Sequence, residues 1–389
     1  MHLIVEPIPK RLRRRWSGFA AASLTTWCGA LWLLGSTLPP EQLRAWAVGS
    51  AITLGYSLLF SRHNLRSNVR AGETIPLEVL GPGNTLTLLR GTLIGLLAGF
   101  LLLPRPSGWM GWVPAALYLL VDVGDFFDGY LARATHTATQ FGQRLDIEFD
   151  ALGLLIASAL VVHWGVMPPA FLLVGVARYA YQFGLWWEQR RGMAIQPLPE
   201  SDLRRPIAGV MMVFSSGLLW PIVPIPAARI AGLVVSLPFL LGFARDYAVV
   251  SGHLSPTSAI YLRWRARSKR ILKGWAPPVL RGLVFLAWGL AAAPVIGEPS
   301  ASTTGRWLLV ASGLLVILLV LGVAGRLAAL GVTILSAFVM VIVGTPPQLL
   351  LLMAASLALM LTGTGSGSLW RGDSFLVDWR PGARRRGED

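Results

Sequence analysis

The chain has 389 residues, of which 54% are hydrophobic and only 14% charged, whereas a soluble domain carries about a quarter of its residues as charges. So little charge cannot clothe several globular domains in water. The excess of 34 Lys+Arg over 19 Asp+Glu, a formal charge of +15, therefore reads as cationic loops orienting a membrane protein and not as a nucleic-acid surface. One cysteine, Cys28, rules out an intrachain disulfide and any multi-cysteine zinc or iron–sulfur site.

Apolar blocks long enough to cross a hydrocarbon core of about 30 Å as helix recur along the chain. Twelve spans are expected, at 17–36, 45–60, 84–103, 111–130, 142–164, 169–187, 207–223, 228–250, 280–296, 307–325, 327–344 and 347–363. Pro and Gly punctuate the gaps, as at Pro39-Pro40, Pro104, Pro168-Pro169 and Pro277-Pro278. The fold class is an all-α, polytopic integral membrane protein, and no cleavable leader is expected at its start.

With Lys10, Arg11 and Arg13 to Arg15 in the cytoplasm, alternate loops place only Arg44, Arg105, Arg229 and Arg306 outside. The basic clusters at 62–70, 190–205, 263–273 and 380–386 all fall inside, which satisfies the positive-inside rule. Both termini are then cytoplasmic. The polar stretch 62–83 is expected to form a short interfacial helix, 251–276 a basic loop that meets anionic headgroups, and 364–389 a flexible basic tail.

Carboxylates are rare inside spans because each costs about 2.5–3.5 kcal/mol at a helix centre. Against that background one stretch carries Asp125-Phe-Phe-Asp128-Gly129-Tyr-Leu-Ala132-Arg133, then eight residues, then Gly142-Gln-Arg-Leu-Asp146-Ile-Glu-Phe-Asp150. Asp125, Asp128, Gly129 and Ala132 share one helix face, and so do Gly142, Asp146 and Asp150. If the two helices pack antiparallel through those faces, four carboxylates converge. Unneutralised, they would repel and raise each other's pKa, so the pattern points to cation binding. All-oxygen ligands select Mg²⁺, Mn²⁺ or Ca²⁺ over zinc. The small residues leave room for a ligand beside the metal.

This stretch resembles the signature of the CDP-alcohol phosphotransferase (CDP-alcohol phosphatidyltransferase) family, D-x2-D-G-x2-A-R-x8-G-x3-D-x3-D, and matches every fixed position from Asp125 to Asp150. The lead-in Pro82-Gly-Asn84-Thr-Leu-Thr87-Leu-Leu-Arg90 is similar to the family's approach to its first core helix. The resemblance implies a six-span catalytic core at 84–250, preceded by a two-span hairpin and linker at 1–83 and followed by a four-span extension at 277–363. It implies that Asp125, Asp128 and Asp146 hold one or two Mg²⁺ or Mn²⁺ ions. Asp150 would act as general base, with possible metal contact. Gly129, Ala132, Arg133 and Gly142, with Asn84 and Thr87 as further candidates, would line the pocket for a CDP-linked lipid. The acceptor oxygen would attack the β-phosphorus and CMP would leave. The resemblance also implies a homodimer in a bacterial cytoplasmic membrane, with the active site facing the cytoplasm.

An acceptor phosphate needs cations, and Arg178, deep in its span, with Arg204 and Arg205 at the start of the seventh span, are the candidates. Asp122, one turn deeper than Asp125, and Glu148, pointing away from the metal face, lie outside the signature; a basic partner such as Arg178 is one possibility for Glu148. Phosphatidylglycerophosphate synthases read Asp-Pro-Leu-Ala-Asp-Lys where this chain reads Asp146-Ile-Glu-Phe-Asp150-Ala151, so glycerol 3-phosphate, inositol phosphate and serine all stay open as acceptors. Two other readings remain: transfer from CDP-choline or CDP-ethanolamine to a lipid hydroxyl, and a lipid or ion transporter using the acids as a cation site. Clustering at one membrane face and the lack of an inverted repeat argue against transport.

Overall fold

The computed structural model describes residues 8–70, 72–198, 204–255, 257–297, 303–363, 365 and 368–370. These residues form thirteen α-helices and no β-strand. They are α1 (Lys10–Gly35), α2 (Pro40–Asn64), α3 (Pro82–Ala98), α4 (Trp112–Ala134), α5 (Gln140–His163), α6 (Leu172–Arg190), α7 (Arg204–Leu218), α8 (Ile225–Val250), α9 (Ala259–Arg270), α10 (Ala276–Gly297), α11 (Thr303–Leu321), α12 (Gly325–Val343) and α13 (Pro347–Thr362). The chain is a polytopic all-α membrane protein. By length and composition seven segments, containing α1 to α4, α8, α10 and α12, are long and apolar enough to span, while α7, α11 and α13 are apolar but shorter. The first half of α5 is loaded with Arg144, Asp146, Glu148 and Asp150, so its chemistry lowers its hydropathy.

Twelve of the helices coincide with the twelve expected spans. Two expectations between them need correcting. The basic segment 251–276 is not a loop: Ser258 accepts a hydrogen bond from the Tyr261 amide at 3.2 Å and starts α9, which runs through a π-helical turn at Ile271–Trp275 into α10. Arginine and lysine are good helix formers, so a run of charge did not mean irregular backbone. Conversely, among its described residues the stretch 62–83 has no separate α-helix of its own. After α2 it makes a 3₁₀ turn at Leu65–Ser67 and then irregular chain. That chain is pinned by the buried Asn68, whose Nδ2 donates to the carbonyls of Leu77 (3.1 Å) and Val79 (2.9 Å). The tail beyond residue 370 lies outside the described residues.

The chain divides into two compact units. The first holds Met1–Ala180 and Met212–Pro221. Its axis is α3, buried on most of its circumference and packed against α1, α2, α4 and α5. Small residues permit this, as is usual between membrane helices. A Cβ on Gly91 would stand 2.7 Å from the Phe149 ring of α5, and one on Gly95 would stand 3.0 Å from the Leu54 Cβ of α2. Polar side chains tie the first two helices in. Trp27 Nε1 donates to Ser50 Oγ at 2.8 Å, Trp16 Nε1 to Ser61 Oγ at 2.9 Å, and Ser23 and Thr92 share a hydroxyl bond of 3.0 Å.

The second unit holds Tyr181–Met211 and Ile222–Asp389. Within it α13 packs against α8, α10 and α12, and Trp288 Nε1 donates to Ser312 Oγ at 3.0 Å to join α10 and α11. The helices from α10 to α13 contain no carboxylate.

Close packing at Gly91 generates a stability prediction. Gly91→Val drives a side chain into Phe149, and overpacking of this kind costs about 1–3 kcal/mol. Thermal unfolding of the detergent-solubilised variant is expected to fall accordingly, whereas Gly18→Val, where a Cβ meets nothing within 4 Å, leaves it unchanged.

Candidate active site

The α4–α5 hairpin is set by its five-residue connection. His136 takes a left-handed backbone (φ 54°), and Thr139 caps α5 by accepting the Gly142 amide at 3.2 Å. The Gln140 amide donates to the Val69 carbonyl at 2.9 Å, so the linker before α3 grips the start of α5. Antiparallel packing then turns the two signature faces toward the same volume, as their spacing predicts.

What fills the middle of that volume is Arg90 of α3. Its side chain is fully buried, and its guanidinium contacts all four signature aspartates. Nη1 donates to Asp128 Oδ2 at 2.6 Å and to Asp146 Oδ1 at 2.9 Å. Nη2 pairs with Asp125 Oδ1 at 2.8 Å and with Asp150 Oδ1. Thr87, one turn earlier on α3, donates to Asp128 Oδ2 at 2.8 Å. Gly124 makes this reach possible, because a Cβ there would lie 2.9 Å from the Arg90 Cγ.

Fully ionised, the quartet would carry four negative charges against the one on Arg90. Oxygens of Asp125, Asp128 and Asp146 lie within 4.8 Å of one another, close to the roughly 4 Å between opposite ligands of an ion bound at about 2.0–2.1 Å. Three of the four side chains keep 35–41% of their surface exposed, while Asp128 keeps 7%. An all-carboxylate set, part open and with three charges uncompensated, fits a hard divalent cation.

The remaining expected residues fall in several places. Ala132 and Arg133 line a cavity of about 520 Å³ together with Arg70, His136 and Ala138. Gly129 lies under the Arg133 guanidinium, where a Cβ would be 3.1 Å from Nη1. Asn84 and Thr87 are both buried. Asn84 Nδ2 donates to Asn68 Oδ1 (3.1 Å) and Thr139 Oγ1 (3.0 Å), and its Oδ1 occupies the place a Cβ on Gly142 would need. Arg178 is half-buried on α6. Arg204 belongs to the second unit, where its Nε pairs with Asp246 Oδ2 at 2.8 Å, and Arg245 Nη2 meets the other oxygen of the same carboxylate at 2.5 Å. Arg205 is the next residue of the same helix, and its side chain lies outside the described set. Asp122 has both oxygens sealed from solvent beside Ser216, without a well-formed hydrogen bond. Glu148 faces away from the quartet and accepts from two tyrosines, Tyr56 Oη at 2.6 Å and Tyr179 Oη at 3.2 Å.

Arg90 is the residue that sequence reasoning missed as a functional group. Its signal was present: an arginine inside an apolar span is functional by default. Removing one partner of a buried ion pair costs about 3–5 kcal/mol, so Arg90→Met in EDTA is expected to unfold well below the wild type. Saturating Mn²⁺, which restores positive charge among the four carboxylates, should narrow that gap in a thermal-shift measurement; an equal gap with and without metal would mean that Arg90 acts only as packing.

Comparison with known proteins matches the segment that contains these residues. The family model described as CDP-alcohol phosphatidyltransferase matches residues 82–244. Among curated proteins, the chain is 37% identical over 91 residues to the CDP-diacylglycerol–glycerol-3-phosphate 3-phosphatidyltransferase of Cereibacter sphaeroides, covering 23% of this chain and 40% of that one. It is 36% identical over 93 residues to the protein of that name from Salmonella choleraesuis and 34% identical over 93 residues to that of Escherichia coli K12, in both cases over 23% of this chain and 50% of the relative. The chain thus spans half or less of the length of these relatives. No solved structure matches. With the signature whole and its aspartates gathered on Arg90, residues 82–244 are similar to the CDP-alcohol phosphatidyltransferase family.

Proposed function

We propose that this protein makes a phospholipid by transferring the phosphatidyl group of CDP-diacylglycerol to a small polar alcohol, with release of CMP at the cytoplasmic face of the membrane. The observation that carries the reading is the convergence of four signature carboxylates around one buried guanidinium. Phosphoryl transfer asks for positioning and charge neutralisation more than for covalent chemistry, and this arrangement is built for both.

Asp125, Asp128 and Asp146 are the residues that would hold Mg²⁺ or Mn²⁺, with Asp150 at the edge of the set. A divalent ion bound there supplies neutralisation of the pyrophosphate charge. Arg90 and Thr87 fix the carboxylates so that little reorganisation accompanies binding. Asp150, oriented through one oxygen by Arg90, takes the proton of the acceptor hydroxyl as that oxygen bonds to the β-phosphorus. The bond from the β-phosphorus to the bridging oxygen breaks, and its electron pair leaves on CMP. The cavity at Ala132 and Arg133, flanked by Gly129, receives the cytidine nucleotide. Gly142, Asn84 and Thr139 hold the rim of that region together.

Glycerol 3-phosphate is the leading acceptor, because the relatives above are named for it. Arg178, in the same compact unit as the aspartates, is the cation assigned to the acceptor's phosphate.

The test is CMP release by the purified full chain with CDP-diacylglycerol, Mg²⁺ or Mn²⁺, and glycerol 3-phosphate, serine, inositol, inositol 1-phosphate or choline in turn. Acceptor-dependent CMP is expected with one of them, abolished by EDTA and restored by metal. Loss of a general base costs about 10²–10⁴-fold, so Asp150→Asn should fall by at least the lower figure. Folded protein that releases no CMP with any acceptor would overturn the proposal.

A further inference from the structure

The second of the two helices ahead of the family segment touches the catalytic signature itself. Tyr56, on α2, donates its hydroxyl to Glu148 Oε1 at 2.6 Å, and Tyr179, on α6, donates to the same oxygen at 3.2 Å. Glu148 is 7% exposed and sits two residues after Asp146 and two before Asp150. At 100° per residue it projects from the opposite side of α5. A carboxylate in a span is expensive, and such residues are retained where they have work to do.

The placing of Tyr56 is not loose. Its ring stacks on Phe60 with centroids 6.0 Å apart. The helix that carries it is seated on α3 at close range, where a Cβ on Gly49 would stand 3.0 Å from the Ala98 carbonyl and one on Gly95 would meet Leu54. That same α3 presents Arg90 to the front of α5. The catalytic helix is therefore held from both sides. Asp146 and Asp150 are bound to Arg90 on one face, and Glu148 is bound to Tyr56 and Tyr179 on the other.

We infer that Glu148, through Tyr56 and Tyr179, is a positioning residue that fixes the rotation of α5 and with it the seating of Asp146 and Asp150 in the metal site, so that α2 is a working part of the catalytic unit. The inference rests on the proposed reaction for its purpose. Its mechanism, however, is read in metal binding. A one-oxygen acceptor clamped by two hydroxyls resists rotation of the helix in either direction. Releasing one clamp lets the two aspartates drift from Asp125 and Asp128 without touching any of them.

The experiment measures Mn²⁺ binding to the full chain in detergent, by the electron paramagnetic resonance signal of free Mn²⁺, with thermal unfolding in EDTA and CMP release run beside it. Outer partners of metal ligands are worth about 10–100-fold in affinity. Tyr56→Phe should weaken Mn²⁺ binding by about the lower figure and raise the metal needed for half-maximal CMP release in proportion, while kcat at saturating metal and the melting temperature in EDTA barely move. Glu148→Gln keeps an oxygen acceptor for both tyrosines and should retain most of the wild-type affinity; Glu148→Leu should not. Unchanged Mn²⁺ affinity in Tyr56→Phe, a Gln variant as weak as the Leu variant, or a wild type that binds no Mn²⁺ would each overturn the inference. Should Glu148→Leu not fold, Tyr56→Phe decides alone. Weakened Mn²⁺ binding in a protein that releases no CMP would sink the proposed reaction and leave the positioning role standing. CMP release with a metal requirement indifferent to Tyr56 would do the reverse.

Discussion

Four carboxylates cannot share a few ångströms at the end of two membrane helices without positive charge among them. That constraint organises the first compact unit. One positive charge is built in as Arg90, buried in α3 and in contact with Asp125, Asp128, Asp146 and Asp150. To deliver a guanidinium there, α3 must run close to both signature helices. Gly124 yields space for the arginine stem, and Gly91 yields space for Phe149. Asn84 and Thr87 complete the same side of α3 with bonds to Thr139 and Asp128. The small residues and the hydroxyls are consequences of the same electrostatic demand.

Incomplete neutralisation is the feature on which the proposed use of the arrangement depends. A structural ion cluster would match its charges, whereas here one arginine faces four acids. The side chains of Asp125, Asp146 and Asp150 stay about one-third to two-fifths exposed, which leaves a way in for the proposed ion and phosphate. Asp128 alone is closed off and holds two donors, Thr87 and Arg90. It is the best fixed of the four, and the others are arranged around it.

Much of this was legible in the sequence because it depends on local periodicity. Spacings of three and four put each pair of aspartates on one face, and apolar blocks gave the twelve helices to within a few residues. Arg90 was quoted as part of a lead-in but not read as the counter-ion, because its partners lie 35 to 60 residues away and only packing brings them together. Glu148 was likewise seen to point away from the metal face, yet its tyrosines come from α2 and α6, and nothing in a single chain's periodicity pairs them. The helix α9 was hidden for another reason. Charge density reports where a segment meets water or headgroups, and it is nearly silent on whether the backbone there is helical.

The two faces of α5 solve the same problem by different means. On the front, carboxylates are compensated by a cation, which changes the net charge the site offers to an incoming ion. On the back, Glu148 accepts from two neutral hydroxyls, which satisfy the oxygen without adding charge. A cation in the place of Tyr56 or Tyr179 would also have held Glu148, but it would have added positive charge on the far side of the helix that carries Asp146 and Asp150. The hydroxyls hold Glu148 without themselves adding charge, while the Arg178 cation, next to Tyr179 on α6, acts on that same face.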